Sequence, residues 1–181
     1  MIAKELGKLI AETKYGDLPF DIVETAKSRL LDYLGISIAG YRLGAYRRIM
    51  DALGIDKGKC TIYCDGRKTS VRNAAVVNGF MSHSSYYEDG SRITGGHPST
   101  AILPALLALG EERKLSGKKL ILGMVAGYEV FNRIGLTMYP SAVNRGFQTT
   151  PILAPLAAAG ACAKMMDLDA EKTFQALNIA A

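Results

Sequence analysis

The sequence is poor in the residues that build metal and disulfide sites. Its 181 residues include two His, three Cys and no Trp. Any imidazole chemistry must therefore use His83 or His97. An odd number of Cys offers no complete disulfide framework, which favours a reducing compartment. The Cys60-x3-Cys64 spacing lacks the second ligand pair that a zinc site needs, so we predict no zinc site at these cysteines.

Long apolar runs are also missing. The longest uncharged, mostly apolar segments, 120–128 and 151–163, fall short of the ~20 residues that cross a bilayer. The N-terminus lacks the apolar run of a signal peptide. A pI near 9.1 raises the alternative of a nucleic-acid binder, but the net charge of +5 is mild and forms no basic stripe. We predict a soluble, cytoplasmic protein without a membrane or nucleic-acid partner.

Helical periodicity dominates what is present. Hydrophobic residues make up 49% and charged residues 22% of the chain, a globular balance in a chain long enough for a core. Apolar residues recur at three- and four-residue steps, which predicts amphipathic helices. The predicted buried stripes are Ile2, Leu6, Leu9 and Ile10; Val23, Ala26, Leu30, Leu34 and Ile38; Ala74, Val77, Asn78 and Met81; Ile102, Ala105, Leu106 and Leu109; Leu120, Met124, Tyr128, Phe131 and Gly135; and Phe174 and Leu177.

Capping and turn residues predict where these elements begin and end. Gly40 is placed as the C-terminal cap of the second helix, and Pro155 as the start of an Ala-rich helix. Ser70, Ser116 and Asp169 are predicted N-caps, and a short helix is predicted over 45–53. Asp65-Gly66, between extended segments 60–64 and 67–69, predicts a type I′ hairpin. The fold class is an all-α multi-helix bundle with one small β-hairpin, and one domain spans 1–181.

The polar residues concentrate in two loops. The first, over 83–98, holds His83, His97, Arg92 and the pair Glu88-Asp89. Such groups support general acid–base chemistry or metal binding, and loops of this length are often functional. The alternative is a solvated surface loop in which His97 caps the following helix.

The second loop, over 139–151, centres on Arg145-Gly-Phe-Gln-Thr-Thr150. An Arg with two hydroxyls before a helix start can hold a carboxylate. The alternative is a helix cap with an exposed Arg. The chain contains no phosphate-binding glycine motif and no nucleophile elbow.

A series of motifs, in this order along the chain, resembles the MmgE/PrpD family. The motifs are Leu18-Pro19, Leu31-Asp-Tyr-Leu-Gly35, Ala75-x-x-Asn78-Gly79, His83 with acids leading to His97-Pro98, Pro104-Ala-Leu-Leu-Ala108 with Glu111, Gly127-Tyr-Glu-Val130 with Arg133-Ile-Gly135, and Arg145-Gly-Phe147. The family includes 2-methylcitrate dehydratases, cis-aconitate decarboxylases and an iminodisuccinate epimerase. The resemblance implies a helical domain that acts on small di- or tricarboxylates, without a metal or organic cofactor. The implied reaction removes a proton beside a carboxylate and then loses water or CO2, or reprotonates.

The resemblance also assigns roles to individual residues. It implies catalytic roles for His97, Asp89, Glu88, Tyr86 and Gln148, and substrate binding by His83, Arg92, Arg145 and Thr149. Two of these positions depart from the family pattern. Tyr86 stands where an acid is usual, and Gln148 stands where a His is common. These losses indicate either a divergent subfamily with another substrate or a degenerate copy.

Family members are more than twice as long, and their later portion supplies a lid domain and further site residues. The last helix runs to Ala181 without a stop signal, so we expect 1–181 to hold only the N-terminal helical domain. Two hypotheses follow: a lyase (dehydratase) or isomerase that is complete only with a missing segment, and a non-catalytic helical remnant or scaffold. Uncovered apolar faces predict a homodimer or a partner chain.

Overall fold

Helices account for nearly all the regular structure in the computed structural model, which describes residues 2–44, 46–54 and 56–181. The elements are α1 (Ile2–Glu12), a 3-10 turn (Tyr15–Asp17), α2 (Phe20–Leu43), α3 (Tyr46–Leu53), β1 (Cys60–Thr61), β2 (Lys68–Thr69), α4 (Val71–His83), α5 (Pro98–Arg113), α6 (Gly117–Met138), α7 (Ser141–Asn144), α8 (Thr149–Met165) and α9 (Ala170–Ala180). The all-α prediction with one small hairpin is confirmed. Among these helices, none is long and apolar enough to cross a membrane.

The core lies where α5, α6 and α8 meet, because small residues let these helices approach closely. A Cβ added at Gly127 of α6 would lie 2.9 Å from the Ala161 side chain of α8 and 2.9 Å from Ile102 of α5. Predicted stripe residues fill the centre: Ile102, Leu106, Met124 and Phe131 are buried. The remaining helices pack around this unit, with α1 against α9 and α4 between α2 and α5.

Two predictions about α2 are wrong. The helix does not end at Gly40 but continues to Leu43, and Gly44 (φ +74°) is its C-cap. A Cβ at Gly40 would lie 1.8 Å from the carbonyl oxygen of Met81, so this glycine marks the crossing with α4. The predicted stripe is right in its first half, where Val23 and Ala26 are buried, and wrong in its second half, where Leu34 and Ile38 remain 39% and 50% exposed.

The hairpin exists, but its predicted turn type is wrong. The strands pair Cys60 with Thr69 in antiparallel register. The left-handed residues of the turn are Cys64 and Gly66, whereas a type I′ turn would need positive φ at Asp65 and Gly66. The reason is tertiary: the buried Asn78 amide accepts from the Tyr63 N–H (3.0 Å) and donates to the Thr61 carbonyl (2.9 Å). The one polar residue on the α4 stripe thus fixes the hairpin.

The predicted helix starts are partly confirmed. The side chains of Ser70, Ser116 and Asp169 cap α4, α6 and α9. Pro155 does not open α8, which begins at Thr149 and contains that proline. The helix starts earlier because Pro151 already occupies its first turn, where a missing N–H is harmless. Residue Ala45 of the predicted short helix lies outside the described residues.

Substituting the two glycines of α2 tests the crossing with α4. We expect Gly40→Ala to lower the free energy of unfolding by about 1–3 kcal/mol or more, because the new methyl overlaps the α4 backbone. Gly35→Ala is the matched control: a Cβ there meets nothing within 4 Å, so we expect stabilisation of about 0.5–1 kcal/mol from helix propensity. Urea unfolding measures both, and equal effects would contradict the packing.

Candidate active site

The packing of α4 against α5 brings the two imidazoles of the chain together. His83 ends α4 and His97 immediately precedes α5. Nearby, the hydroxyls of Ser82 and Thr100 hydrogen-bond across the two helices at 2.9 Å. The two imidazole rings lie 5.9 Å apart between centroids. The loop that connects them supplies the carboxylates.

A buried carboxylate lies behind both imidazoles. The side chain of Glu88 is fully enclosed, while those of His83 and His97 are each 34% exposed. Glu88 Oε1 contacts Nδ1 of His83 and lies 3.7 Å from Nδ1 of His97. A carboxylate in this position orients an imidazole and stabilises its protonated form. We call this trio the His–Glu cluster.

The neighbouring Asp89 is also buried, and its two carboxylate oxygens are held by different helices. Oδ1 accepts from the Ser99 N–H at 3.0 Å, and Oδ2 accepts from the Tyr128 hydroxyl at 2.6 Å. Pro98, the first residue of α5, has no N–H, so the first N–H of the helix is that of Ser99 at the second position. The Asp89 carboxylate accepts from this N–H and is the anion at the N-terminus of α5. The Arg29 guanidinium lies 3.9 Å from Oδ2. Asp89 is therefore enclosed and cannot contact a substrate directly in this structure.

The surroundings of His97 determine which of its two ring nitrogens carries the proton when the ring is neutral. Nδ1 lies 3.0 Å from the main-chain carbonyl of Asp89, and the backbone N–H donates to Thr150 Oγ1 at 2.9 Å. A carbonyl only accepts, so Nδ1 carries hydrogen and Nε2 of the neutral ring keeps a lone pair. His97 occupies the N-cap position of α5, but its side chain makes no cap hydrogen bond. Helix capping therefore does not explain why a histidine occupies this position.

The structure places two further predicted residues at different depths. Tyr86 is exposed, adopts φ +56° and lies against His83 with ring centroids 4.8 Å apart. Thr149 is buried, and a Cβ at Gly96 would lie 2.8 Å from its hydroxyl oxygen. Tyr86 is therefore accessible beside the cluster, whereas Thr149 lies beneath the loop.

The remaining predicted residues lie on the surface. Arg92, Arg145 and Gln148 are exposed, and within the described ranges neither Arg forms an ion pair. Gln148 precedes α8 and is two residues from Thr150, which bonds to His97. The start of α8 is thus tied to the His–Glu cluster, and the guanidiniums are available to an anion.

Tyr128 is a site residue that the sequence placed on a core stripe and in a family motif, without a role in the site. Burial, and then the adjacent Asp89 carboxylate, raise the pKa of its phenol above the ordinary value, so the hydroxyl stays a donor. A tyrosine on a buried helix stripe needs a hydrogen-bond partner, and that need was the available signal. No feature of the sequence identified Arg29 as a residue of the site. Among residues 2–44, 46–54 and 56–181, no group of three His, Cys, Asp or Glu side chains is arranged to hold a metal ion.

The fold and the site together define a helical domain with a histidine–carboxylate centre at one helix junction. The chain belongs to the MmgE/PrpD family: the sequence model of the MmgE/PrpD N-terminal domain matches residues 4–181. It is similar to a cis-aconitate decarboxylase-like protein of Aspergillus oryzae, with 28% identity over 99% of this chain and 39% of the relative. It is also similar to the cis-aconitate decarboxylases of Aspergillus terreus (28% identity over 91% of this chain and 35% of the relative) and Mus musculus (27%, 99% and 38%). The chain therefore spans well under half the length of these relatives.

Removing the Asp89 carboxylate tests whether it organises the loop. Asp89→Ala leaves the Ser99 N–H and the Tyr128 hydroxyl without their partner, so we expect a loss of about 1–3 kcal/mol in the free energy of unfolding. Glu129→Ala is the control, because its pairing with Arg133 is on the surface and removal costs at most about 0.5 kcal/mol. A loss for Asp89→Ala as small as the control's would show that the carboxylate is not structural.

Proposed function

We propose that this chain provides the imidazole face of a lyase site that acts on small di- or tricarboxylates. The observation that carries the proposal is the His–Glu cluster: two part-exposed imidazoles backed by one enclosed carboxylate. This arrangement suits proton removal from a carbon beside a carboxylate, because the base needs a free lone pair and its protonated form needs a nearby anion.

His97 is the proposed general base. Its Nδ1 faces the Asp89 carbonyl, so Nε2 is left to accept the proton from carbon. Glu88 lies 3.7 Å from the ring and stabilises the imidazolium that forms. In its imidazolium form, with Nδ1 on the same carboxylate, His83 donates a hydrogen bond from Nε2 to the substrate carboxylate as negative charge moves onto it. In a dehydration, the electrons of the broken C–H bond form the C=C bond, and the β-hydroxyl takes a proton from an imidazolium of the cluster and leaves as water. In a decarboxylation no proton is removed from carbon: the C–CO2 bond breaks and the imidazolium of His97 delivers its proton to carbon.

The proposed substrate carries several carboxylates. Arg145 and Arg92 are exposed cations without ion-pair partners in the described part of the chain, and the start of α8 adjoins His97. The relatives are named cis-aconitate decarboxylases, so cis-aconitate and the related 2-methylcitrate are the first compounds to test. Tyr86 and Gln148 shape the specificity in this proposal, since neither supplies a carboxylate or an imidazole. No metal or organic cofactor is part of the proposed reaction.

Completion of the site is proposed to need more than these 181 residues. The relatives are much longer, and Leu31, Leu34 and Ile38 leave an apolar strip of α2 exposed. A homodimer or a partner chain is the proposed cover for that strip. We propose that the protein acts in the cytoplasm, where its three free thiols stay reduced.

A second candidate function is that of a non-catalytic helical scaffold. It is favoured by Gln148, which has no titratable proton where a His is common in the family. The two functions differ in what they predict for ligand binding, because a scaffold has no reason to retain a polycarboxylate site.

Ligand binding separates the two candidates. We expect cis-aconitate, citrate or 2-methylcitrate to raise the melting temperature of the purified chain, because a ligand that binds only the native state stabilises it. Arg145→Gln should reduce the shift, while Arg113→Gln, at the far end of α5, should not. The same shift with monocarboxylates at equal ionic strength, or no shift with any acid, would favour the scaffold.

Turnover gives a second test. We expect the 181-residue chain alone to show no dehydratase or decarboxylase activity on these acids. In an active assembly that contains the chain, His97→Gln should lower kcat at least ~10²-fold, the usual contribution of a general base. Unchanged turnover in the variant would remove His97 from the mechanism, and turnover by the isolated chain would contradict the need for further residues.

A further inference from the structure

We propose that Tyr128 is a positioning residue that, through Asp89, holds the proton of His97 on Nδ1 and so presents Nε2 to the substrate. The inference rests on the proposed function only for the role of His97 as the base. The connection itself consists of hydrogen bonds within this chain.

The connection runs through one residue. The Tyr128 hydroxyl donates to Asp89 Oδ2 at 2.6 Å, and the Ser99 N–H donates to Oδ1 at 3.0 Å. The carboxylate is thus fixed from α6 and from α5 at the same time. The carbonyl of the same residue accepts from His97 Nδ1 at 3.0 Å. With its side chain held at both oxygens, Asp89 has a fixed position in the loop, and its carbonyl stays within reach of the imidazole.

Tyr128 is well placed to act as the fixed end of this connection. It lies midway along α6, between Gly127, where the helix contacts α5 and α8, and the fully buried Phe131. A donor on a well-packed helix of the core moves less than one on a loop. Asp89 itself lies in the loop that joins α4 to α5, so it depends on such a contact for its position.

A competing acceptor makes the connection necessary. Glu88 Oε1 lies 3.7 Å from the same Nδ1 of His97 and already contacts His83. If the Asp89 carbonyl moved away, the His97 ring would be free to turn toward this carboxylate or toward solvent. A ring turned toward solvent would populate both tautomers, and Nε2 would carry the proton part of the time, whereas a ring turned toward Glu88 would keep its proton on Nδ1. Tyr128 thereby decides which acceptor His97 faces.

The tautomer can be observed directly, because the chain has two His and its imidazole ¹⁵N spectrum therefore contains two spin systems. His83→Gln assigns the signals of His97. In the ¹⁵N-labelled 181-residue chain, at a pH where the rings are neutral, we expect His97 to show a protonated Nδ1 and an unprotonated Nε2. In Tyr128→Phe, which keeps the ring but loses the hydroxyl, the two nitrogen shifts of His97 should move toward each other. The His83 signals should stay, since Glu88 holds that ring.

Two further variants keep the test decisive. Tyr87→Phe removes a phenol that is 81% exposed on the same loop, and it should leave both imidazoles unchanged. Asp89→Asn keeps an oxygen for Ser99 but offers Tyr128 an amide in place of the acceptor, so it should reproduce the His97 change even if Tyr128→Phe folds poorly.

A wild-type His97 protonated on Nε2 would overturn the inference. So would a folded Tyr128→Phe in which His97 keeps the wild-type tautomer. The measurement uses no substrate, so its failure is distinct from a failure of the proposed function, which ligand binding decides.

Discussion

The structure around the loop 84–97 depends on the burial of two adjacent carboxylates. Removing a carboxylate from water is costly unless each oxygen finds a donor or a cation. Asp89 meets this requirement at both oxygens with Ser99, Tyr128 and Arg29, whereas Glu88 meets it at Oε1 with the two imidazoles and its Oε2 has no hydrogen-bond partner among the described residues. The donors come from the ends of α4 and α5 and from the middle of α6. The same contacts that permit the carboxylates to be buried therefore assemble the site.

The helix packing explains why these donors are within reach. Gly40 lets α4 cross α2 at backbone contact, and a Cβ at Gly79 would lie 3.3 Å from Pro104 of α5. These close approaches set the position of α4, and hence of His83 at its end. The bond between Thr150 and the backbone of His97 adds α8 to the same junction. The geometry of the site thus depends on small residues at these helix crossings.

Local sequence patterns predicted the parts of this fold that depend on local physics. The caps at Ser70, Ser116 and Asp169 follow from side chains that bond to backbone within three residues, and the pattern is visible without a structure. The end of α2 was mispredicted because a glycine serves equally as a cap and as a crossing point, and only the neighbouring helix distinguishes the two. The turn at Asp65 was mispredicted because Asn78, distant in sequence, fixes the hairpin.

The same distinction between local patterns and tertiary contacts applies to the site. The two His and the two acids stand out as a polar cluster between apolar helices, so the sequence identified the loop. It could not show that Glu88 and Asp89 are enclosed while His83 and His97 remain partly open, because burial depends on how α4, α5 and α6 meet. Tyr128 looked like one more residue of an apolar stripe. Its hydroxyl has a role because the folded loop places the buried Asp89 carboxylate 2.6 Å away.

The central claim is that the His–Glu cluster faces a polycarboxylate. Titration of cis-aconitate into the ¹⁵N-labelled chain, followed through the two imidazole spin systems, tests it most directly. The account predicts that both imidazoles shift together and saturate with a single Kd, while an equimolar monocarboxylate leaves them in place. Imidazole signals that stay unchanged at concentrations where the ligand demonstrably binds would contradict the account.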